Sequence, residues 1–250
     1  MKSNPLSATT FLRLQSCQLT NTDMLHLSQL IPHVPHLQKL EIHNNRATDG
    51  EKDGLLKVLH QLCHSKVTGL NIVNTGLGEL LDSPHDYSSA IKQLIHPSSG
   101  TLQILAVGHV GDFEDVNDDK LAALVSAPSS LKGLYLFIVS LSPYVLHLKN
   151  NTCLPTLFLY CADLSAVMSD VVDIVTHNKT LQELLLWKFI NGESAIDAVR
   201  PLVRAIRGNT TLQHIELYIA GIGESNEAVS AYMKTHHKDL TLDPRITFAN

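Results

Sequence analysis

Leucines recur along the chain in a fixed frame of apolar and polar positions. The clearest copy runs from Leu37 to Ala47 and has Leu37, Leu40 and Ile42 at its first, fourth and sixth positions. Successive side chains of an extended chain point to opposite faces, so the fourth and sixth positions share one face. Each frame therefore predicts a short strand with one apolar face.

The frame repeats through the whole sequence. Copies begin near residues 9, 37, 67, 102, 131, 154, 181 and 212, and a short terminal turn is predicted near residue 237. Successive starts are about 23 to 35 residues apart, a period typical of a repeat protein. The sequence therefore predicts about eight related units rather than a conventional globular core.

Apolar residues at helical spacing lie between the frames, most clearly over residues 55–62, 167–175 and 195–206. Ser142-Pro143 predicts a helix start, with Ser142 as the N-cap and Pro143 at the first helical position. A strand–turn–helix unit cannot bury its leucines alone, so its neighbours must stack on it. We expect an α/β solenoid of parallel strands and outer helices, forming one domain over residues 1–250.

The frame, its period and the Asn-x-Thr-Leu-Gln segments at Asn178–Gln182 and Asn209–Gln213 resemble leucine-rich repeats of the ribonuclease-inhibitor-like class. In particular, they are similar to the C-terminal sensor arrays of NOD-like receptors. The resemblance implies a curved right-handed superhelix with a concave sheet and convex helices. It also implies innate sensing of a protein or microbial ligand in signal transduction. No nucleotide-binding P-loop occurs in the chain, so it would be a sensor segment or a stand-alone relative.

The position that follows each strand departs from the family pattern. It is usually Asn or Cys, but here only Cys17, Asn45 and Thr75 have side chains that can bond the backbone of a neighbouring turn. We therefore expect irregular loops in the later repeats. No polar cap is evident before the first strand, although terminal repeats normally need one.

Aromatic residues concentrate on the predicted concave face of the last four repeats. Two positions of each strand, between and after the inward leucines, should face outward from the core. Six of these eight positions are aromatic, against 5% aromatic residues in the chain. They are Tyr135, Phe137, Phe158, Tyr160, Trp187 and Tyr218. Exposed apolar surface of this kind usually marks an interaction site, and Trp and Tyr are frequent hot-spot residues.

We therefore predict that the six rings bind a partner, with Glu216 and Lys188 adding orientation at the rim. The alternative is that the rings pack on one another and only stiffen the sheet. A one-residue register error would bury them instead, but the inward leucines of each frame argue against it.

Composition and charge narrow the possible partners and compartment. Charged residues are 17% of the chain, apolar residues 44%, and the net charge is -5 without a basic run, which disfavours disorder and bulk nucleic-acid binding. No apolar stretch is long enough for a membrane span or a secretory signal. Four cysteines lack disulfide-scaffold spacing. We expect a cytoplasmic protein with reduced, mostly buried thiols and no membrane partner.

The sequence predicts no enzyme, no cofactor and no metal site. It contains no nucleophile elbow, zinc-protease motif or dinucleotide fingerprint. His60 and His64 are interpreted as helix-end residues, and the acidic run 112–119 as a solvated helix start, because neither has a complete metal-ligand pattern. The alternative function is regulation of an enzyme, as in ribonuclease inhibitor or repeat-containing GTPase activators. Arg13 is then the one candidate catalytic-type arginine.

Overall fold

The computed structural model describes residues 8–45, 53–73, 75, 87–98, 100–108, 122, 129–138, 141–161, 164–187, 194–218 and 243–249. By their internal contacts, the residues form two compact units, Met1–Lys132 and Gly133–Asn250. Both units alternate parallel strands with helices, as the frames predict. A single domain over residues 1–250 stays a prediction.

The first unit contains four described strands paired in parallel in chain order. They are β1 (Phe11–Gln15), β2 (Lys39–His43), β3 (Gly69–Asn71) and β4 (Ile104–Gly108). The fourth frame positions are aligned across the strands, which confirms the predicted register; they are Leu12, Leu40, Leu70 and Leu105. The helices are α1 (Asn21–Leu30), α2 (Asp53–Leu62) and α3 (Tyr87–Ile95), and a 3₁₀ turn (Ile31–His33) follows α1.

The second unit contains five described strands, again parallel and in chain order. They are β5 (Gly133–Ile138), β6 (Thr156–Cys161), β7 (Glu183–Trp187), β8 (His214–Tyr218) and β9 (Ile246–Ala249). The helices are α4 (Ser142–Asn150), α5 (Leu164–His177) and α6 (Ser194–Gly208). Neighbouring helices pack on one another, α4 on α5 and α5 on α6.

The core of each unit consists of the frame leucines and the apolar faces of the helices. On β6, for example, Leu157 and Leu159 are fully buried, and so are Val171 and Ile174 of α5. A sheet face and a helix stripe bury their apolar residues against each other, so this layer is the core. Strand β1 is the exception, because its leucines are only half-buried.

Buried asparagines connect successive repeats of the second unit where a helix ends. Asn178 and Asn209 are 3% and 2% exposed. Each side-chain oxygen accepts hydrogen bonds from two backbone N–H groups of its own turn, all at 2.8 Å. Each Nδ2 donates to two carbonyls at the end of the helix in the preceding repeat. The acceptors are Leu148 and Asn151 for Asn178, and Val175 and Asn178 for Asn209, at 2.6 to 3.2 Å.

Arg245 occupies the next position of this series with a different side chain. Its guanidinium donates to the carbonyl of Ile206 at 2.7 Å and to that of Asn209 at 2.8 Å, which correspond to the two carbonyls bonded by each asparagine. Asp243 holds the guanidinium through Nε and Nη2, at 2.8 and 2.7 Å. The side chains of Asn178, Asn209 and Arg245, here called the helix-end ladder, thus satisfy carbonyls that a helix terminus leaves unpaired.

The side chain that follows the strand was predicted to bond the backbone of a neighbouring turn, and Asn45 does so. The Asn45 side chain accepts from the N–H of Cys17 at 2.7 Å and donates to the carbonyl of Leu14, so it bonds the preceding repeat. Thr75 bonds the carbonyl of Ile72, in its own repeat. The predicted irregular loops of the later repeats lie outside the described residues.

Two details differ from the sequence interpretation. Ser142 is the first residue of α4 rather than its N-cap, and its hydroxyl donates to Asp170 instead of capping the helix. The terminal turn predicted near residue 237 lies outside the described residues, and strand β9 was not predicted. Its residue Ile246 is buried and aligns with Ile215, and the backbone of Phe248 aligns with that of Leu217. Asp243 occupies the position of the leucine that normally begins the frame, so the apolar pattern of this repeat is not recognisable in the sequence.

Candidate functional site

The candidate site lies on the sheet face opposite the buried leucines of β5 to β8, here called the open face. The strand register arranges its side chains in three rows. The first row is Gly133, Thr156, Glu183 and His214; the second is Tyr135, Phe158, Leu185 and Glu216; the third includes Phe137, Tyr160 and Trp187. The face is therefore aromatic on β5 and β6, and on β7 and β8 it carries the Trp187 ring together with the carboxylates of Glu183 and Glu216.

Five of the six predicted rings form one contiguous group, here called the aromatic cluster: Tyr135, Phe137, Phe158, Tyr160 and Trp187. Phe158 is at its centre. Its ring centroid lies 5.1 Å from that of Tyr135, 5.7 Å from Phe137 and 5.8 Å from Trp187. Such distances and the offset, tilted geometries are favourable for aromatic pairs.

Burial separates the centre of the cluster from its periphery. Phe158 is buried at 9% exposure, whereas the rings around it are half-buried. The planes of the paired rings are inclined to one another by 27° to 48°. A partner would therefore meet the outer parts of Tyr135, Phe137, Tyr160 and Trp187, with Phe158 supporting them from within.

Glu216 lies beside Trp187 at the edge of the aromatic cluster. The indole N–H of Trp187 donates to its Oε1 at 3.3 Å, and His214 Nε2 is 3.9 Å from its Oε2. The Glu216 side chain is 25% exposed. These contacts orient the carboxylate beside the indole and leave part of it accessible to solvent.

The remaining predicted site residues are only partly described. Tyr218 belongs to β8, where its backbone pairs with Ala249. Lys188 lies outside the described residues. Sequence reasoning missed the first row of the open face, including Glu183 and His214, because it considered only two positions per strand. The alternation of strand side chains would have revealed a third outward position, two residues before the first.

Cysteines are more exposed than expected. Cys17 and Cys153 are exposed, Cys63 is half-buried and Cys161 is fully buried. The expectation of mostly buried thiols is therefore wrong. Cys161 lies on the core side of β6, because it follows the outward-facing Tyr160 and successive strand side chains point to opposite faces.

Among the described residues, the candidate metal ligands are His, Cys, Asp and Glu side chains. Within that part of the chain, no group of three His, Cys, Asp or Glu residues lies close enough together to bind one. His60 lies in the last turn of α2, His64 follows the helix, and both are exposed. The acidic run 112–119 lies outside the described residues.

Comparison with known proteins leaves the family open. No protein-family model matches the chain, and no curated protein matches it. Across the part of the chain that the structure describes, no helix has both the length and the apolar character that crossing a membrane requires.

Proposed function

We propose that this chain is a leucine-rich-repeat solenoid that binds a partner protein through the aromatic cluster. The observation that carries the proposal is the half-buried periphery of the cluster, formed by large apolar side chains on adjacent strands. Contiguous apolar surface of this kind is unusual on a protein without a partner. Tyr and Trp are also the residue types that dominate binding energy in interfaces.

The proposed role is that of a non-enzymatic, cytoplasmic scaffold with the architecture of NOD-like-receptor sensor arrays. The repeating frame and the parallel strand–helix units support the repeat class. Protein or microbial ligand sensing follows from that resemblance and is proposed with it. Enzyme regulation in the manner of a GTPase activator has less support, because Arg13 pairs with Glu41 of its own sheet.

The test compares capture by three purified proteins: wild type, a Trp187→Ala/Tyr160→Ala double variant and a Leu146→Ala control. Leu146 is 61% exposed on α4, so the control also removes an exposed apolar side chain. Some cell-extract proteins should be retained by both wild type and control. We expect the retained amount of these proteins to be lower by about tenfold or more with the double variant, since interface hot spots contribute at least about 2 kcal/mol each.

Thermal unfolding of the same proteins separates binding from stability. The double variant should unfold within a few degrees of wild type, because both side chains are half-buried. Equal capture by all three proteins, or loss of folding in the double variant, would show that the rings have a structural role only.

A further inference from the structure

The same position of the repeat frame carries a glutamate on two strands, and the two carboxylates have different surroundings. Glu41 lies between the inward residues of β2, and Glu216 lies between those of β8. Glu41 is the better enclosed, with a side chain that is 5% exposed against 25% for Glu216.

The first unit supplies Glu41 with its own cations. Arg13, opposite Glu41 on β1, bonds one carboxylate oxygen, and Lys39, two residues before it, is 2.8 Å from the other. Both cationic groups also lie over the ring of Phe11, at 5.2 and 5.3 Å from its centroid. A carboxylate, an aromatic ring and cations therefore form one cluster on this sheet.

The second unit has the carboxylate and the ring, but different residues at the two cation positions. Leu185 is opposite Glu216 on β7, where β1 has Arg13, and His214 replaces Lys39 two residues before the glutamate. Among the described residues, no lysine or arginine is ion-paired with Glu216. In the described open face of this unit, the charged side chains are those of Glu183 and Glu216, and both are acidic. His214 is opposite Glu183 on the neighbouring strand and two residues before Glu216.

We infer that the partner supplies this cation: an arginine side chain that pairs with Glu216 beside Trp187, while apolar residues of the partner cover the aromatic cluster. A guanidinium suits the site because it can bond a carboxylate and pack against an aromatic ring with the same planar group. The rings of the aromatic cluster lie on β5 to β7 and Glu216 lies on β8, so the partner segment must present its apolar residues and its arginine in the matching order. This inference rests on the proposed function and specifies its partner as an arginine-bearing protein segment.

The test uses a random dodecapeptide display library as the probe, selected on the full chain. Fluorescein-labelled synthetic copies of the selected peptides are then titrated with each purified protein while the fluorescence anisotropy of the peptide is recorded, so that variants of Trp187, the single tryptophan of the chain, can be compared in the same way. We expect selected sequences that combine arginine with apolar residues. Replacing that arginine with neutral citrulline should weaken binding to wild type by about tenfold, the effect of about 1.4 kcal/mol.

Glu216→Gln provides the matching change on the protein, because glutamine keeps an oxygen that can accept from the Trp187 indole. It should also weaken the arginine peptide about tenfold, and the citrulline peptide should then bind this variant as well as the arginine peptide does. Asp170→Asn on α5 removes one negative charge away from the open face and should leave both affinities unchanged. If Glu216→Gln does not fold, the citrulline comparison on wild type still decides.

The possible failures are distinguishable. Peptides that bind through the cluster, lose affinity with Trp187→Ala and ignore the citrulline change would overturn the arginine inference and leave the proposed function standing. Peptides that bind equally to wild type, Trp187→Ala and Glu216→Gln, or the absence of any selected peptide, would contradict both.

Discussion

The ionisation of Glu41 on β2 depends strongly on the two cationic side chains beside it. Burial disfavours its charged form, but the hydrogen bonds from Arg13 and Lys39 outweigh burial, so the pKa of Glu41 lies below its ordinary value of 4.5. The folded state therefore binds this proton less readily than the unfolded chain does. The resulting stabilisation is complete above the ordinary pKa and is lost as the pH falls through the lowered value.

We predict that Glu41→Gln lowers the free energy of unfolding by about 1 to 2 kcal/mol at pH 7. The loss is moderate because Arg13 and Lys39 are half-exposed and can be solvated when the carboxylate is removed. Urea denaturation between pH 3 and 7 measures the difference from wild type, which should shrink as the pH falls below the ordinary pKa of 4.5 and through the lowered value. A difference that stays constant with pH would contradict the ion-pair explanation.

Glu183→Gln is the matched control for this experiment. Glu183 is exposed and accepts a hydrogen bond from Thr156 at 3.0 Å. Its replacement should change the free energy of unfolding by less than about 0.5 kcal/mol, as is usual for surface substitutions.

The roles of individual aromatic residues could be predicted only in part. The frame places Phe158 and Trp187 on the same face, and the register confirms it. Sequence alone treats both as exposed anchors, whereas three neighbouring rings bury Phe158 at the centre. The difference arises from side-chain packing between strands, which a frame of apolar positions does not specify.

At the scale of elements, the helix-end ladder should be a major source of stability. Asn209 is buried, and its side chain bonds two N–H groups of its own turn and two carbonyls of the repeat before it. We predict that Asn209→Ala lowers the free energy of unfolding by about 3 kcal/mol, because it leaves several buried backbone groups without partners. Chemical denaturation measures the change.

Asn150→Ala is the matched control, since Asn150 is exposed and donates one hydrogen bond, to the carbonyl of Leu146. It should cost less than about 1 kcal/mol. Similar losses for the two variants would mean that the ladder contributes little beyond ordinary helix-end contacts.

Elements with a strong local signal were predictable, and those defined by distant contacts were not. The apolar patterns predicted α2, α5 and α6, and the frames predicted β1 to β8. Helix α1 was missed because its apolar stripe is weak, although Thr20 and Asp23 form a capping box that could have revealed it. Strand β9 was missed because Asp243 replaces its leading leucine, and the role of Arg245 follows only from carbonyls more than thirty residues away.

At the scale of the molecule, two cysteines can report whether the chain unfolds as one domain. Cys63 lies in the first unit and Cys161 in the second. Burial raises the pKa of the Cys63 thiol, and Cys161 is fully buried, so both should react slowly while folded. A single domain predicts that both become reactive at the same urea concentration.

Thiol labelling with mass-spectrometric detection measures the two transitions separately. Cys17 and Cys153 are exposed and should react in the native protein, which gives an internal reference. Two distinct urea midpoints for Cys63 and Cys161 would show that the two compact units unfold independently.

The hydrogen bonds that the helix-end ladder donates to carbonyls all run from one repeat of the second unit to the repeat before it. Each rung belongs to one repeat but satisfies the helix of the repeat before it, and Arg245 does so for α6. Losing β9 would therefore expose carbonyls of α6, and losing the turn at Asn209 would in turn expose those of α5. Local unfolding of the second unit would therefore proceed repeat by repeat toward the amino terminus. Amide hydrogen exchange would show this order as protection that is lost first in α6 and then in α5.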